Sequence, residues 1–517
     1  MSSLLTTASV TLSLLFAATP PPEPVRAVER SVVGEQFTFV VRASPVSNLT
    51  YQLDCIAGIF PCSRETYVAL WKDSLRWSAD DEKQLEAWKR LREKYFEQVP
   101  FGQPSRNTTH RLPPQFDGID LEHKFRMAGH AAKTLDEYRA NLELVLAVPD
   151  VDQVLRVLAH FQPRFEGWWT TSAAPKLVPF LDATVKLLEQ ERLTQFIEKV
   201  AHFYEARLPK GTRVHLNLVF RPPGGGRNTS GEQIQNHSVV EVLEGEAPES
   251  RIDVVLHELF HFFYATAAPE RRAAVMEALF SSAGADGLGA WALLNESLAA
   301  ALGNGLVARR VLPPEKFERM LSRAMSLYND PLIDPSARAL MPVLERALER
   351  GDVLSSPGFR AEYLQAVRGA LGAGVSGRLA RLKLVALVYD EDLRGVALEL
   401  TRRANTGGAW SNSPIAEASS RSRLERHPDL TGAVFVSTRR LQDLEGWKGL
   451  LGAATVSEIR REARTGKPFV YGVRRTNGEG FIYLFVGRDA EAISPLLPGF
   501  LKDETPCLGV CTRLEGR

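Results

Sequence analysis

The apolar run Val254-Val255-Leu256-His257-Glu258-Leu259-Phe260-His261-Phe262-Phe263 holds two histidines and a glutamate at a spacing that can do chemistry. On a helix, residues four apart share a face, so His257 and His261 can each offer one ring nitrogen to a single metal ion. Glu258 sits one step round, where its carboxylate reaches a metal-bound water without ligating the metal. Two imidazoles, an open position and a base are what a hydrolytic zinc site needs. The uncharged flanks make this helix apolar almost all round, hence buried. Polar groups buried there need partners, since an unpaired one costs several kcal/mol. A zinc ion and its water would supply them; ordinary hydrogen bonds in the core are the competing reading.

Zinc catalysis usually takes three protein ligands. A metzincin would place Gly and His where this chain has Tyr264 and Ala267, and the only later histidine is the distant His427. A carboxylate fits better. Gly289-Ala290-Trp291-Ala292-Leu293-Leu294-Asn295-Glu296-Ser297-Leu298-Ala299-Ala300-Ala301-Leu302 reads as a second apolar helix, in which Glu296 is the one ionisable residue. A lone buried Glu is expensive unless paired or metal-bound.

In these two stretches the chain resembles the gluzincin metallopeptidases, whose pattern is H-E-x-x-H followed by a helix with N-E-x-x-A or E-x-x-x-D. Here those are His257-Glu258-Leu259-Phe260-His261 and Asn295-Glu296-Ser297-Leu298-Ala299. The resemblance implies His257, His261 and Glu296 as zinc ligands, Glu258 as general base, and a Tyr or His downstream as acid or oxyanion donor; Tyr328 and Tyr363 are the candidates. It also implies, for the strand just before the motif helix, a place along the cleft where substrate main chain adds as a strand; that strand is 237–243. The chain departs from the pattern at Ala300, where thermolysin-like members have Asp, and it lacks G-x-M-E-N. The resemblance therefore reaches the clan and leaves aminopeptidase and endopeptidase both open.

The elements around these helices follow from periodicity. Glu35 to Arg42 alternates as a strand, and residues 64–208 read almost wholly as helices, with breaks such as Pro149. Trp168-Trp169 reads as core, and His110, His123, His130, His160 and His202 as surface or capped side chains. Strands follow at 214–220 and 237–243. Ser250 is a candidate cap for the motif helix, and Asp253 either caps it or orients His257. Helices follow at Pro269–Ser282, Pro314–Tyr328, Pro335–Arg350 and Pro357–Leu371. Leu382–Tyr389 and Ala433–Ser437 read as buried strands, Asp392–Arg402 as a helix, Asn405–Ser422 as a loop, and Pro468–Arg474 with Gly480–Val486 as a hairpin. No G-x-G-x-x-G supports dinucleotide binding there.

The 517 residues carry a net charge of +1 with 24% charged and 44% hydrophobic residues, which gives no electrostatic case for nucleic acid. No apolar run is long enough for a stable membrane span. Uncharged Leu4–Ala18, then prolines and Val25-Arg26-Ala27, read as an export signal, so an exported (periplasmic or extracellular) protein is expected. The four cysteines pair most simply as Cys55–Cys62 and Cys507–Cys511. The organisation expected is a signal peptide at 1–27, a mainly helical N-terminal region at 28–210, a zincin-like catalytic domain at 211–375 and a C-terminal α/β domain at 376–517. The class is α+β: a mostly helical zincin-type catalytic domain with a small sheet. The function expected is that of a zinc metallopeptidase acting on peptide or protein substrates. The alternative is a gluzincin-like protein that binds metal or peptide without turnover.

Overall fold

The computed structural model describes residues 26–60, 62–96, 121–190, 193–225, 229–375, 378–404, 406, 408–412, 414–426, 430–475, 480–502 and 507–513. The leader read at 1–27 lies outside them except for Arg26 and Ala27. The fold is α+β, with helices around two sheets.

Five strands, β1 (Val28–Val33), β2 (Phe37–Ala43), β3 (Thr212–Arg221), β4 (Gly231–Ile234) and β5 (His237–Leu243), form the first sheet in the order β1-β2-β3-β5-β4. β2, β3 and β5 are parallel, while β1 and β4 are antiparallel edges. The central strands are buried on both faces, as expected for parallel strands with helices on either side. Because β2 pairs with β3, the N-terminal segment and the segment after residue 210 share one sheet.

Helix Pro45–Ala57 covers one face of the sheet. Ser44 caps its start and Gly58, at φ 74°, ends it in the left-handed conformation. Its Asn48 side chain reaches Leu218 O (3.1 Å) and takes the Phe220 amide (2.8 Å), satisfying both ends of a buried amide. Tyr51 donates to the fully buried Glu241 of β5, which also accepts from Ser63 and Ser230. The opposite face carries the motif helix, Ile252–Thr266, where Phe263 stacks on Phe37 of β2 at 5.4 Å.

The second sheet is built from β6 (Leu384–Val388), β7 (Gly408–Asn412), β8 (Thr431–Ser437), β9 (Phe469–Arg474), β10 (Phe481–Gly487) and β11 (Gly509–Arg513), in the order β11-β9-β10-β8-β6-β7. β7, β6, β8 and β10 are mutually parallel. β9 and β10 form the expected hairpin, its turn at 476–479 lying outside the described residues. Disulfides join Cys55 to Cys62 and Cys507 to Cys511. Among the described residues no helix is long and apolar enough to cross a membrane.

Three local expectations are corrected. The helix read over 314–328 stops at Leu321. The next helix takes over the polar groups that would have continued it: Arg338 binds Leu321 O (2.5 Å), and Asp334 accepts from the amides of Leu327 and Tyr328 (2.9 and 3.3 Å). The loop read over 405–422 contains β7 and the start of helix Ala418–Arg426, because pairing with β6 supplies hydrogen bonds that composition does not reveal. His130 is buried rather than superficial, hydrogen-bonded through Nδ1 to Ser47 Oγ (2.7 Å). Trp169 is core as expected, with Trp168 packed partly beside it.

Candidate metal centre

The motif helix starts at Ile252 with Arg251 at its cap position and no side-chain cap; Ser250 instead donates to Ala247 O (2.8 Å), so the capping role read for Ser250 does not hold. It ends at Thr266, ahead of Ala268-Pro269, since the residue before a proline avoids the helical region. The next helix runs from Pro269 to Ala299 with a kink at Gly284, φ 53°, and carries Glu296 back to the motif helix. It continues as a π-helical stretch, Ala300–Val307. Close approach depends on Gly303: a Cβ there would stand 2.8 Å from the Cα and N of His257.

This approach brings together three groups that are 35 or more residues apart in part of their path: His257, His261 and Glu296, the one such cluster of potential ligands among the described residues. His257 Nε2 lies 3.1 Å from His261 Nε2 and 3.7 Å from Glu296 Oε2, and His261 Nε2 lies 3.5 Å from Glu296 Oε1. Donors at zinc-bond lengths of about 2.0–2.2 Å around a tetrahedron stand roughly 3.3 Å apart, so the three atoms have the spacing of a zinc ligand set. Glu296 Oε2 is buried and takes no hydrogen bond. A buried carboxylate oxygen without a donor is costly, and a cation is one partner that would satisfy it.

The protonation of both histidines leaves ring nitrogens with lone pairs in this cluster. Burial first, and the neighbouring His261 next, hold the His257 pKa down to about 3, so its ring is neutral and keeps a lone pair. His261 Nδ1 pairs with Asn295 Oδ1 at 3.0 Å; with Nδ1 donating, the lone pair is on Nε2, the nitrogen facing Glu296. Asn304, two turns beyond Glu296, is a polar neighbour of both the His257 ring and the Asp253 carboxylate. Ala300 occupies the position of the expected Asp, and Asn304 supplies a polar partner for the ring. Asp253 thus lies beside His257 through Asn304. Sequence reasoning missed the roles of Asn295 and Asn304, although Asn304 is the one polar side chain between Leu298 and Val307.

Glu258 lies against β4: a Cβ on Gly231 would come 3.2 Å from Glu258 Oε1. Burial pushes the Glu258 pKa up to about 7; His261 opposes this, and Glu296 and Glu232 add to it. Glu232, on the other face of β4, is held by the buried Arg126. The strand at the border of the site is therefore the edge strand β4. The strand 237–243 expected there is β5, which lies between β3 and β4 and is covered by β4 over His237–Val240.

Of the two tyrosine candidates, one reaches the site. Tyr328 stacks on the His257 ring at 5.9 Å, 21° from parallel, and its hydroxyl hydrogen-bonds the Glu296 carboxylate. Burial first, then Glu296, raise its pKa, so it remains a hydroxyl donor. Tyr363 donates to Ala290 O at 2.6 Å and is a structural residue of the helix pair.

Comparison of the chain with protein families, with curated proteins and with solved structures gives no match.

Proposed function

We propose that this protein is an exported, zinc-dependent peptidase with a zincin-type catalytic unit, in which His257, His261 and Glu296 hold the metal and Glu258 is the general base. The observation that carries the reading is the convergence of three ligand atoms within 3.1–3.7 Å of one another, beside a carboxylate whose pKa is raised to about 7. A zinc ion bound there supplies Lewis acidity, polarising a carbonyl and lowering the pKa of a bound water. The chain's own residues do the rest. Glu258 takes a proton from water and returns it to the leaving amine, a role suited to a carboxyl that titrates near neutrality. The Tyr328 hydroxyl, freed from the Glu296 carboxylate once that group ligates the metal, would donate a hydrogen bond where negative charge develops on the former carbonyl oxygen. Asn295 keeps the His261 ring in its ligating orientation, and Asn304 lies beside the His257 ring. The edge strand β4 offers main-chain groups to an extended substrate. Two disulfides and the uncharged Leu4–Ala18 stretch support export.

The test is Glu258→Gln. It is expected to retain zinc and to lose hydrolysis of a fluorogenic peptide library by about 10²–10⁴-fold, the usual contribution of a general base. Full activity in this variant would contradict the mechanism. Zinc binding by the parent without cleavage of any peptide would favour a binding protein that does not turn substrate over.

A further inference from the structure

We infer that Lys383, in the C-terminal domain, is a positioning residue for Tyr328, so that this domain is a working part of the proposed site. The inference rests on the peptidase reading for its catalytic consequence and on geometry alone for the contact.

Tyr328 stands in a connection between helix Pro314–Leu321 and helix Ile333–Arg350. The connection turns through Met325, a non-glycine residue at φ 52°, a conformation that local preference does not supply. It is fixed from outside on two sides. Upstream, Arg338 binds Leu321 O and Ser326 Oγ (2.5 and 2.7 Å), and Asp334 accepts the amides of Leu327 and Tyr328. Both residues belong to the following helix. Downstream, Asp330 Oδ1 accepts from the amides of Leu332 and Ile333 (2.8 and 3.1 Å). Its Oδ2 meets Lys383 Nζ at 2.7 Å, with the side chains only 9% and 5% exposed.

Lys383 immediately precedes β6, so this ion pair ties the second sheet to a residue two positions from Tyr328. The domain is seated on the helix that also carries Glu296: at Gly289 a Cβ would fall 1.5 Å from Val375 O, so the connecting segment lies directly on that helix. An apolar contact would hold the domain equally well, and a buried ion pair is a poor stabiliser by comparison. What it does supply is direction. It fixes where Asp330 points and, through two peptide units, the Tyr328 backbone.

The experiment uses the full chain with Lys383→Met, Lys383→Arg, Tyr328→Phe and the double variant Lys383→Met/Tyr328→Phe. The readouts are zinc content, kcat and KM on a fluorogenic peptide, and the rate of tryptic cleavage after Arg323 in metal-free protein. Lys383→Met is expected to bind zinc as the parent does and to be cut faster at Arg323. Its kcat should fall towards that of Tyr328→Phe, which loses about 10²–10³-fold with a single transition-state donor. KM should change little, the double variant should be no slower than Tyr328→Phe, and Lys383→Arg should restore much of the rate. Unchanged cleavage at Arg323 with unchanged kcat would overturn the inference, as would losses that multiply in the double variant. Where Lys383→Met does not fold, Lys383→Gln carries the same test. A parent that binds no zinc would end the peptidase reading, while the cleavage rates would still decide whether Lys383 holds the Tyr328 segment.

Discussion

Among the described residues two pairs of histidines lie on opposite faces of the first sheet, and one of them converges on a carboxylate. His257 and His261 are one helical turn apart, with rings nearly perpendicular (84°) and Nε2 atoms 3.1 Å from each other. A carboxylate, Glu296, closes the third side. His215 of β3 and His237 of β5 are direct neighbours in register, stacked at 4.2 Å and 9°. Parallel rings send their lone pairs side by side rather than to one point. The surroundings differ as well. Glu296 and Glu258 face the first pair, whereas burial and the cations Arg42, Arg213 and Lys133 hold His215 neutral, its pKa down to about 3. His237 is lowered by burial first, then by His215, Arg42 and His130. Asn217 occupies His237 Nδ1 at 3.1 Å. Burial and proximity are common to both pairs; convergence and charge separate them.

The comparison can be sharpened at Asn295. Asn295→Ala removes the partner of His261 Nδ1 and is expected to weaken zinc binding about 10–100-fold, the usual cost of losing a residue that orients a ligand. Competition with a chromophoric chelator measures this, and unchanged affinity would show that His261 needs no orientation.

At the other pair the expected effect is on acid stability. A histidine with a pKa of about 3 folded and near 6.5 unfolded binds fewer protons in the native state between those values. Its contribution is present above pH 6.5 and is lost as pH falls towards 3. For His215 the loss between pH 7 and pH 5 is about 2 kcal/mol, and the buried His237 and His130 act in the same direction. Urea denaturation of the parent and His215→Phe at both pH values reads the difference, and identical pH dependence in the two would contradict it. The smallest effect expected is that of His215→Phe on zinc content, which should not change.

Local patterns were legible in the sequence, and relations between distant segments were not. The motif helix and the Glu296 helix announce themselves because apolar runs with isolated ionisable residues leave few other readings. β3 and β5 follow from alternation. β1 and β4 do not: each edge strand has just one buried side chain, so neither shows a pattern. The resemblance places the cleft border at 237–243, the strand just before the motif helix, whereas β4 lies outside it in the sheet, since strand order is decided by pairing across the chain. Periodicity carries the helix on to Tyr328 because the polar groups of Asp334 and Arg338 that end it come from the next helix. Asn304 was legible as a lone polar residue, but its role depends on the π-helical turn and on Gly303 bringing it to His257.

The most direct measurement is zinc per chain in the purified full-length protein, beside His257→Ala, Glu296→Ala and His215→Ala. The account predicts one zinc ion in the parent and in His215→Ala, with little in the other two. No zinc in the parent after incubation with the metal at neutral pH, or equal zinc in His257→Ala, would contradict it.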